Sequence, residues 1–350
     1  MSEANETPSI ATPQRRRPAT IRDVAAHAGV SKSVVSRVIR DEPNVSDERR
    51  ERVRTAMSDL GYRPNTIARG LSESRSGTVG IIINDLRNPW YVSLLEGLAT
   101  TFDAVDLAPI MVDSRLDHRV GRNTVDTLLD RQVDGLVVVG TTEAHVDVER
   151  AARSVPVVLA GTLEPDLPTV DIAVDDDLIG ARLATEHLIG LGHRRVAHLQ
   201  GPGLVGRLRL QGVTETLADA GLPAPSVEYS GMTEEGGFTA TARLLDSVRP
   251  PTAIVGFNDV TCLGAMSAAD DRGLRIPDDI SLVGYDETAL AGLRHISLTS
   301  VDNGNYAVGV RAAKFLVQRM DQPGAPQRIY RHPPSLVNRR TTASPAPGPD

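Results

Sequence analysis

Between Thr20 and Leu60 the apolar residues recur at intervals of three and four, the period of helices that bury one face. Ile21, Val24, Ala25 and Ala28 share the face of a first helix, and Thr20 with Asp23 form a capping box at its start. Gly29 supplies the positive φ that ends it. Ser31 is placed to cap a second helix with Val34, Val35 and Val38 inward. Ser46 is placed to cap a third, with Asp47 and Glu48 at its positive end, Val53, Ala56, Met57 and Leu60 inward and Gly61 as the stop. A small residue (Ala25), a glycine four on, and apolar residues six and nine further predict a helix-turn-helix over 18–62. Pro64 then breaks the chain, and Asn65 opens about two turns before the polar SESRS. A helix that short, weakened by Gly70, forms only when something holds it, so 63–76 is expected to be a hinge.

From Thr78 the pattern changes. TVGIII, LAPIMVD, VDGLVVVG and VPVVLAG read as strands, with helices over 89–102 and around 124–131. The alternation restarts after AVDDDLIG, with helices at 178–191, 207–221, 234–248 and 260–272 between RRVAHLQG, SVEYSG, TAIVGF and SLVGYD. Near-continuous apolar strands alternating with helices imply parallel sheets covered on both faces. Two such runs make two lobes, and ligands lie beyond the C-terminal ends of the strands, in the cleft between them. The expected fold is a small all-α head on an α/β body of two parallel-sheet lobes.

Charge sharpens this division. The chain of 350 residues has a net charge of −7, yet residues 1–75 carry 14 Lys and Arg against 10 Asp and Glu. A basic head on an acidic body points to a polyanion at the head alone. Lys32, Ser33, Ser36, Arg37 and Arg40 fall on the outward side of the second helix. Such side chains suit phosphates and base edges, and arginine pairs bidentately with guanine in the major groove. Arg37 is the expected base reader, with Lys32 and Ser33 beside it. Leu71, apolar in a basic arm, has the character of a minor-groove wedge.

Other classes find less support. GPGLVG (201–206) matches a dinucleotide-binding fingerprint, but Pro202 removes a backbone N–H and no acidic residue ends a strand about 20 residues on. The eight histidines show no metal spacing, no serine lies in a nucleophile elbow, and the single cysteine, Cys262, excludes an internal disulfide and reads as a small buried hydrophobe. No cofactor and no metal are expected. No apolar run approaches the ~20 residues of a membrane span, and the polar N-terminus lacks a secretory pattern, so a cytoplasmic protein is expected. The residues at strand ends carry more: Arg209 after LQGP, Asn258 after AIVGF, and Asp286 after SLVGY. A rigid donor fork with acceptors for hydroxyls suits a small polyhydroxylated or carboxylate ligand, and Trp90 offers a stacking wall.

TIRDVAAHAGVSKSVVSRVI, PNVSDERRERVRTAMSDLGYRPN and IARGL resemble the DNA-binding head of the lactose-repressor (LacI) family of bacterial transcriptional regulators. NPWY, VDGLVV, GHRRVAHLQGP, RLRLQG, FNDVTCLGAM, GLRIPDDISLVGYDE and LTSVDN resemble successive landmarks of its body, in order, over 18–341. The resemblance implies a repressor that binds a palindromic operator as a homodimer, with Lys32, Ser33, Ser36, Arg37, Arg40, Asn65 and Leu71 at DNA. It implies a periplasmic-binding-protein-like body over 77–340 that holds a carbohydrate effector with Asn84, Trp90, Arg209, Asn258 and Asp286. The N-lobe is expected over 77–174 and 302–328, the C-lobe over 175–301 and 329–340, with disordered ends at 1–17 and 341–350. Val34 and Arg40 depart from the family's usual Thr and Asn, and Gly161 stands where an acidic residue is common. A secreted sugar-binding protein shares the body without the head; a constitutive DNA-binding protein would keep the head with a vestigial cleft.

Overall fold

The computed structural model describes residues 17, 19–39, 41–62, 75–140 and 145–346. The N-terminal extension, Arg40, and the hinge with Asn65 and Leu71 lie outside these residues. The chain divides into two compact units, one ending at Ser74 and one beginning at Arg75.

The first unit contains α1 (Ile21–Ala28), α2 (Lys32–Ile39) and α3 (Asp47–Asp59). The capping box of Thr20 and Asp23 is formed, and Gly29 ends α1 with φ 62°. Val24, Ala25 and Ala28 of α1 meet Val35 and Val38 of α2 and Val53 and Ala56 of α3 in one small core. Polar clamps supplement it: Arg52 on α3 donates to the carbonyl of Ala28, and His27 meets Asp59 at 3.2 Å. The expected Ser46 cap is not made; its side chain forms no capping hydrogen bond, and Asp47 and Glu48 supply the favourable charge at this end.

The second unit opens with β1 (Thr78–Ile83), α4 (Trp90–Asp103), β2 (Ala108–Asp113), α5 (Ser114–Arg119), α6 (Thr124–Leu129), β3 (Gly135–Val139), α7 (His145–Ala152), β4 (Val157–Ala160) and β5 (Asp171–Asp175). It continues with α8 (Asp177–Gly190), β6 (Val196–Gln200), α9 (Gly203–Asp219), β7 (Ser226–Tyr229), α10 (Glu234–Leu245), β8 (Ala253–Val255), α11 (Asp259–Asp270), β9 (Ser281–Tyr285) and β10 (Thr299–Asp302). Last come α12 (Asn305–Asp321), β11 (Ile329–His332) and β12 (Ser335–Val337). Helices α5 and α7 fall in stretches whose periodicity is too short or too polar to announce them.

The strands form two six-stranded sheets, ordered β11-β5-β4-β3-β1-β2 and β12-β10-β9-β8-β6-β7. All pairings are parallel except β10 with β12, which are joined in antiparallel register. Each sheet is apolar on both faces, as β1, β3, β4 and β9 show by being buried almost throughout.

The chain passes between the lobes after β5, after β10 and after β11. Two boundaries drawn from sequence need correction. Residues 329–332 belong to the N-lobe, where β11 runs parallel to β5 and covers its edge. The last crossing therefore falls at Pro333 and Pro334, which have no N–H with which to extend the ladder. The segment from Thr341 to Ala343 is packed rather than a free tail. Thr341 is buried and donates to the Leu282 carbonyl, and the carbonyl of Ala343 meets the His193 ring at 2.9 Å.

Candidate functional site

The outward side of α2 presents Lys32, Ser33 and Arg37 to solvent while Val35 and Val38 face the core. Ser33 lies against Ser31 with their hydroxyls 2.8 Å apart, and Ser36 is half-buried. The Arg37 guanidinium approaches the Glu42 carboxylate only to 3.9 Å, so it is loosely held. Glu42 belongs to a loop that Arg50 fixes through Asp41 and the Glu42 carbonyl. Helix α2 thus carries an exposed cation on one face while its other face is packed in the core.

The two lobes of the body face each other across a cleft whose inner part is lined by Asn84, Trp90, Arg209, Asn258 and Asp286. Each arrives from the end of a strand or the start of a helix. Asn84 follows β1 and accepts a hydrogen bond from the Tyr91 hydroxyl. Trp90 begins α4, with the Asn88 side chain bonded to its backbone N–H at 3.0 Å. Asn258 caps α11: its Oδ1 accepts from the Thr261 N–H at 2.8 Å, so its NH2 end is what remains for a ligand. Asp286 follows β9 with φ 100°, a strained conformation for a non-glycine residue. Asn303 and Asn305, from the second crossing, hold its carboxylate and carbonyl.

Arg209 is the centre of the inner cleft. It is buried, donates from Nε to Asp177 at 2.8 Å and from Nη1 to the Phe257 carbonyl, and lies 3.6 Å from Asp286. Its guanidinium stacks 3.5 Å above the centre of the Tyr285 ring. Asp175, Asp177 and Asp286 thus share one arginine in a buried site. Burial, then the neighbouring Asp177 carboxylate, pushes the Asp175 pKa up to about 7, while its Oδ2 accepts from the Tyr285 hydroxyl at 2.9 Å. Burial likewise raises Asp286 well above the usual carboxylate range.

Gly161 and Trp90 are a matched pair. Gly161 has φ 69°, and a Cβ there would collide with the Trp90 ring. The indole fills the space that a side chain at this position would occupy, so the glycine is a consequence of the tryptophan.

A carboxyl whose pKa is raised by folding favours the folded state at low pH and loses that contribution as pH rises through its folded pKa. Asp175→Asn keeps an oxygen acceptor for Tyr285 and removes the charge. The variant is therefore expected to match wild type in urea unfolding at pH 4 and to exceed it by about 2 kcal/mol at pH 8. Asp259, raised by burial to about 6, leaves a residual slope of the same sign in both proteins.

Residues 20–65 match the bacterial regulatory proteins of the lacI family, and residues 185–342 match a periplasmic binding protein-like domain. The chain is 32% identical over 330 residues to catabolite control protein A of Priestia megaterium, covering 92% of this chain and 99% of that one. The chain belongs to the LacI family. The ribose operon repressor of Escherichia coli is 32% identical over 327 residues, covering 92% of this chain and 99% of that protein. A lac repressor dimer bound to operator and an anti-inducer superposes with a TM-score of 0.81 at 29% identity, covering 93% of this chain and all of that one. As a LacI-family member the chain is a DNA-binding transcriptional regulator and not an enzyme. In keeping with that, GPGLVG is no nucleotide cradle: Gly206 is pressed against the Gly201 carbonyl and Gly201 against the Phe257 ring, so these glycines serve the packing of α9.

The sequence did not single out Tyr91 and Phe257, which line the inner cleft of this LacI-family body, or Tyr285, Asp175 and Asp177, which lie buried behind it around Arg209. The run AVDDD, acidic residues directly after an apolar strand, was the available signal for the last two. No helix among the described residues is long and apolar enough to cross a membrane.

Proposed function

We propose that the chain represses transcription by binding a two-fold-symmetric operator as a homodimer, and that a carbohydrate-type effector in the cleft switches it. Lys32, Ser33 and Arg37 read bases in the major groove, with Ser36, Arg40 and Asn65 at the backbone and Leu71 as the minor-groove wedge. The observation that carries the effector reading is convergence: Arg209, Asn258 and Asp286 of one lobe and Asn84 and Trp90 of the other line one pocket. Donor fork, carboxylate, amide and indole face are the groups that grip hydroxyls and the apolar face of a sugar ring. A transcriptional regulator solved as a CelR–cellobiose complex superposes with a TM-score of 0.68 at 28% identity.

A ligand that contacts both lobes changes operator affinity only by its differential affinity for two body states, commonly ~1–3 kcal/mol of coupling. The test begins with DNA selected from a random pool by the purified protein. A palindromic consensus bound with two chains per duplex, by analytical ultracentrifugation, is expected; an asymmetric site bound by one chain would overturn the dimer reading. On that consensus Arg37→Ala is expected to relax preference at one base pair per half-site by roughly 1–3 kcal/mol. A uniform loss on all sequences would make Arg37 a phosphate contact instead.

A further inference from the structure

We infer that the effector carries an anionic group, a phosphate or carboxylate on a polyhydroxylated ring, seated against Arg119 and Arg122 at the wide end of the cleft. This rests on the effector reading above and extends it to a ligand class.

The inner pocket is small, about 50 Å3, room for little more than water. It shares Asn84 and Met232 with a cavity of about 940 Å3 that α5, the turn after it and α6 surround on the N-lobe side and that Pro202 and Met232 reach from the C-lobe. A ligand held by Arg209 and Asp286 therefore extends into the larger space. Arg115, Arg119 and Arg122 line that space, against the carboxylates of Asp85 and Asp147.

Both carboxylates are already engaged. Asp85 takes the Arg87 guanidinium at 2.9 Å and Arg115 at 3.3 Å, and Asp147 takes Arg150 at 2.9 Å and the Asn123 amide at 2.9 Å. Arg115 is ion-paired with Asp85 at 3.3 Å and with Asp113 at 3.7 Å, and its buried Nε has no hydrogen-bond partner among the described residues. Arg119 and Arg122 have no side-chain partner among the described residues, and both line the cavity. Two uncommitted guanidinium groups on one wall of a concave site are the chemistry that selects phosphate or carboxylate. The charge of Arg209 is already balanced by Asp177 and Asp286, which leaves its remaining donors suited to hydroxyls rather than to a further anion. The division of labour follows: the inner pocket, built from both lobes, grips the hydroxyls and the ring, and the N-lobe arginines grip the anion.

The test pairs glucose 6-phosphate, fructose 6-phosphate, ribose 5-phosphate, gluconate and glucuronate with glucose, fructose and ribose in isothermal titration calorimetry and thermal unfolding. At least one anionic sugar is expected to bind roughly tenfold or more tightly than its neutral parent. That advantage should vanish in Arg119→Ala/Arg122→Ala, whose two exposed side chains support no packing, and should shrink between 50 and 500 mM salt. A neutral sugar that binds with no gain from the anion, or a gain that survives the double variant, overturns this inference and leaves the effector reading standing. If no sugar of either kind binds, the effector reading falls with it.

Discussion

Arg209→Met is expected to destabilise the body by roughly 3–5 kcal/mol and to abolish its response to any effector. The cost is not the loss of a favourable ion pair as such. Two charges taken out of water recover little more than their desolvation, but a buried charge left without its partner is strongly unfavourable. Methionine would fill much of the arginine's volume while leaving Asp177 and Asp286 facing each other, and the Phe257 carbonyl would lose its donor. Urea unfolding at pH 8, where the carboxyls must ionise, should show the full loss. At pH 5 protonation of these raised carboxyls should recover part of it. An equal loss at both pH values would mean that Arg209 acts through packing on Tyr285 and Phe257 alone.

The second large effect lies at the far end of the N-lobe. Arg319→Met is expected to cost roughly 3–5 kcal/mol. Asp171, fully buried at the start of β5, is bonded by Arg319 through Nε at 3.0 Å and by Arg328 through Nη2 at 2.6 Å. Arg319 also donates to the carbonyls of Pro323, Ala325 and Pro326, the loop that returns the chain from α12 to β11. Its removal takes one of two guanidinium partners from a buried carboxylate, which Arg328 then holds alone through its backbone N–H and side chain, and leaves three carbonyls without donors. Asp171→Asn in the same chain should restore part of the loss, since the second change removes a buried charge that has lost one of its two guanidinium partners. A double variant no more stable than Arg319→Met would assign the cost to the loop carbonyls.

These two arginines also mark where the sequence was legible and where it was not. The lobes were readable because strands buried on both faces, such as GLVVV and VVLA, leave runs that no surface element would carry. The head was readable because a three-helix core must repeat at helical spacing. The pocket residues were found at strand ends, where parallel sheets place ligands. What pairs with them was not legible: Asp177 and Arg209 are 32 residues apart, Asp171 and Arg319 are 148 apart, and no local pattern links such partners. The last crossing was placed early because β11 is an edge strand, half exposed, and lacks the apolar run of its neighbours. The C-terminal stretch read as a tail because its composition is polar and proline-rich. Threonine hydroxyls and backbone carbonyls hold it, and composition does not register hydrogen bonds of that kind.

Trp90 is the only tryptophan of the chain and forms a wall of the inner cleft, with Tyr91 edge-on at 5.0 Å. The protein therefore carries its own optical probe. Excitation of the indole reports from one place, the wall of the inner pocket, with no tryptophan in the head or in the second sheet to dilute it. Quenching or a spectral shift on titration gives occupancy directly in the unlabelled full-length chain, and the same emission followed in stopped flow gives the rate at which a ligand enters.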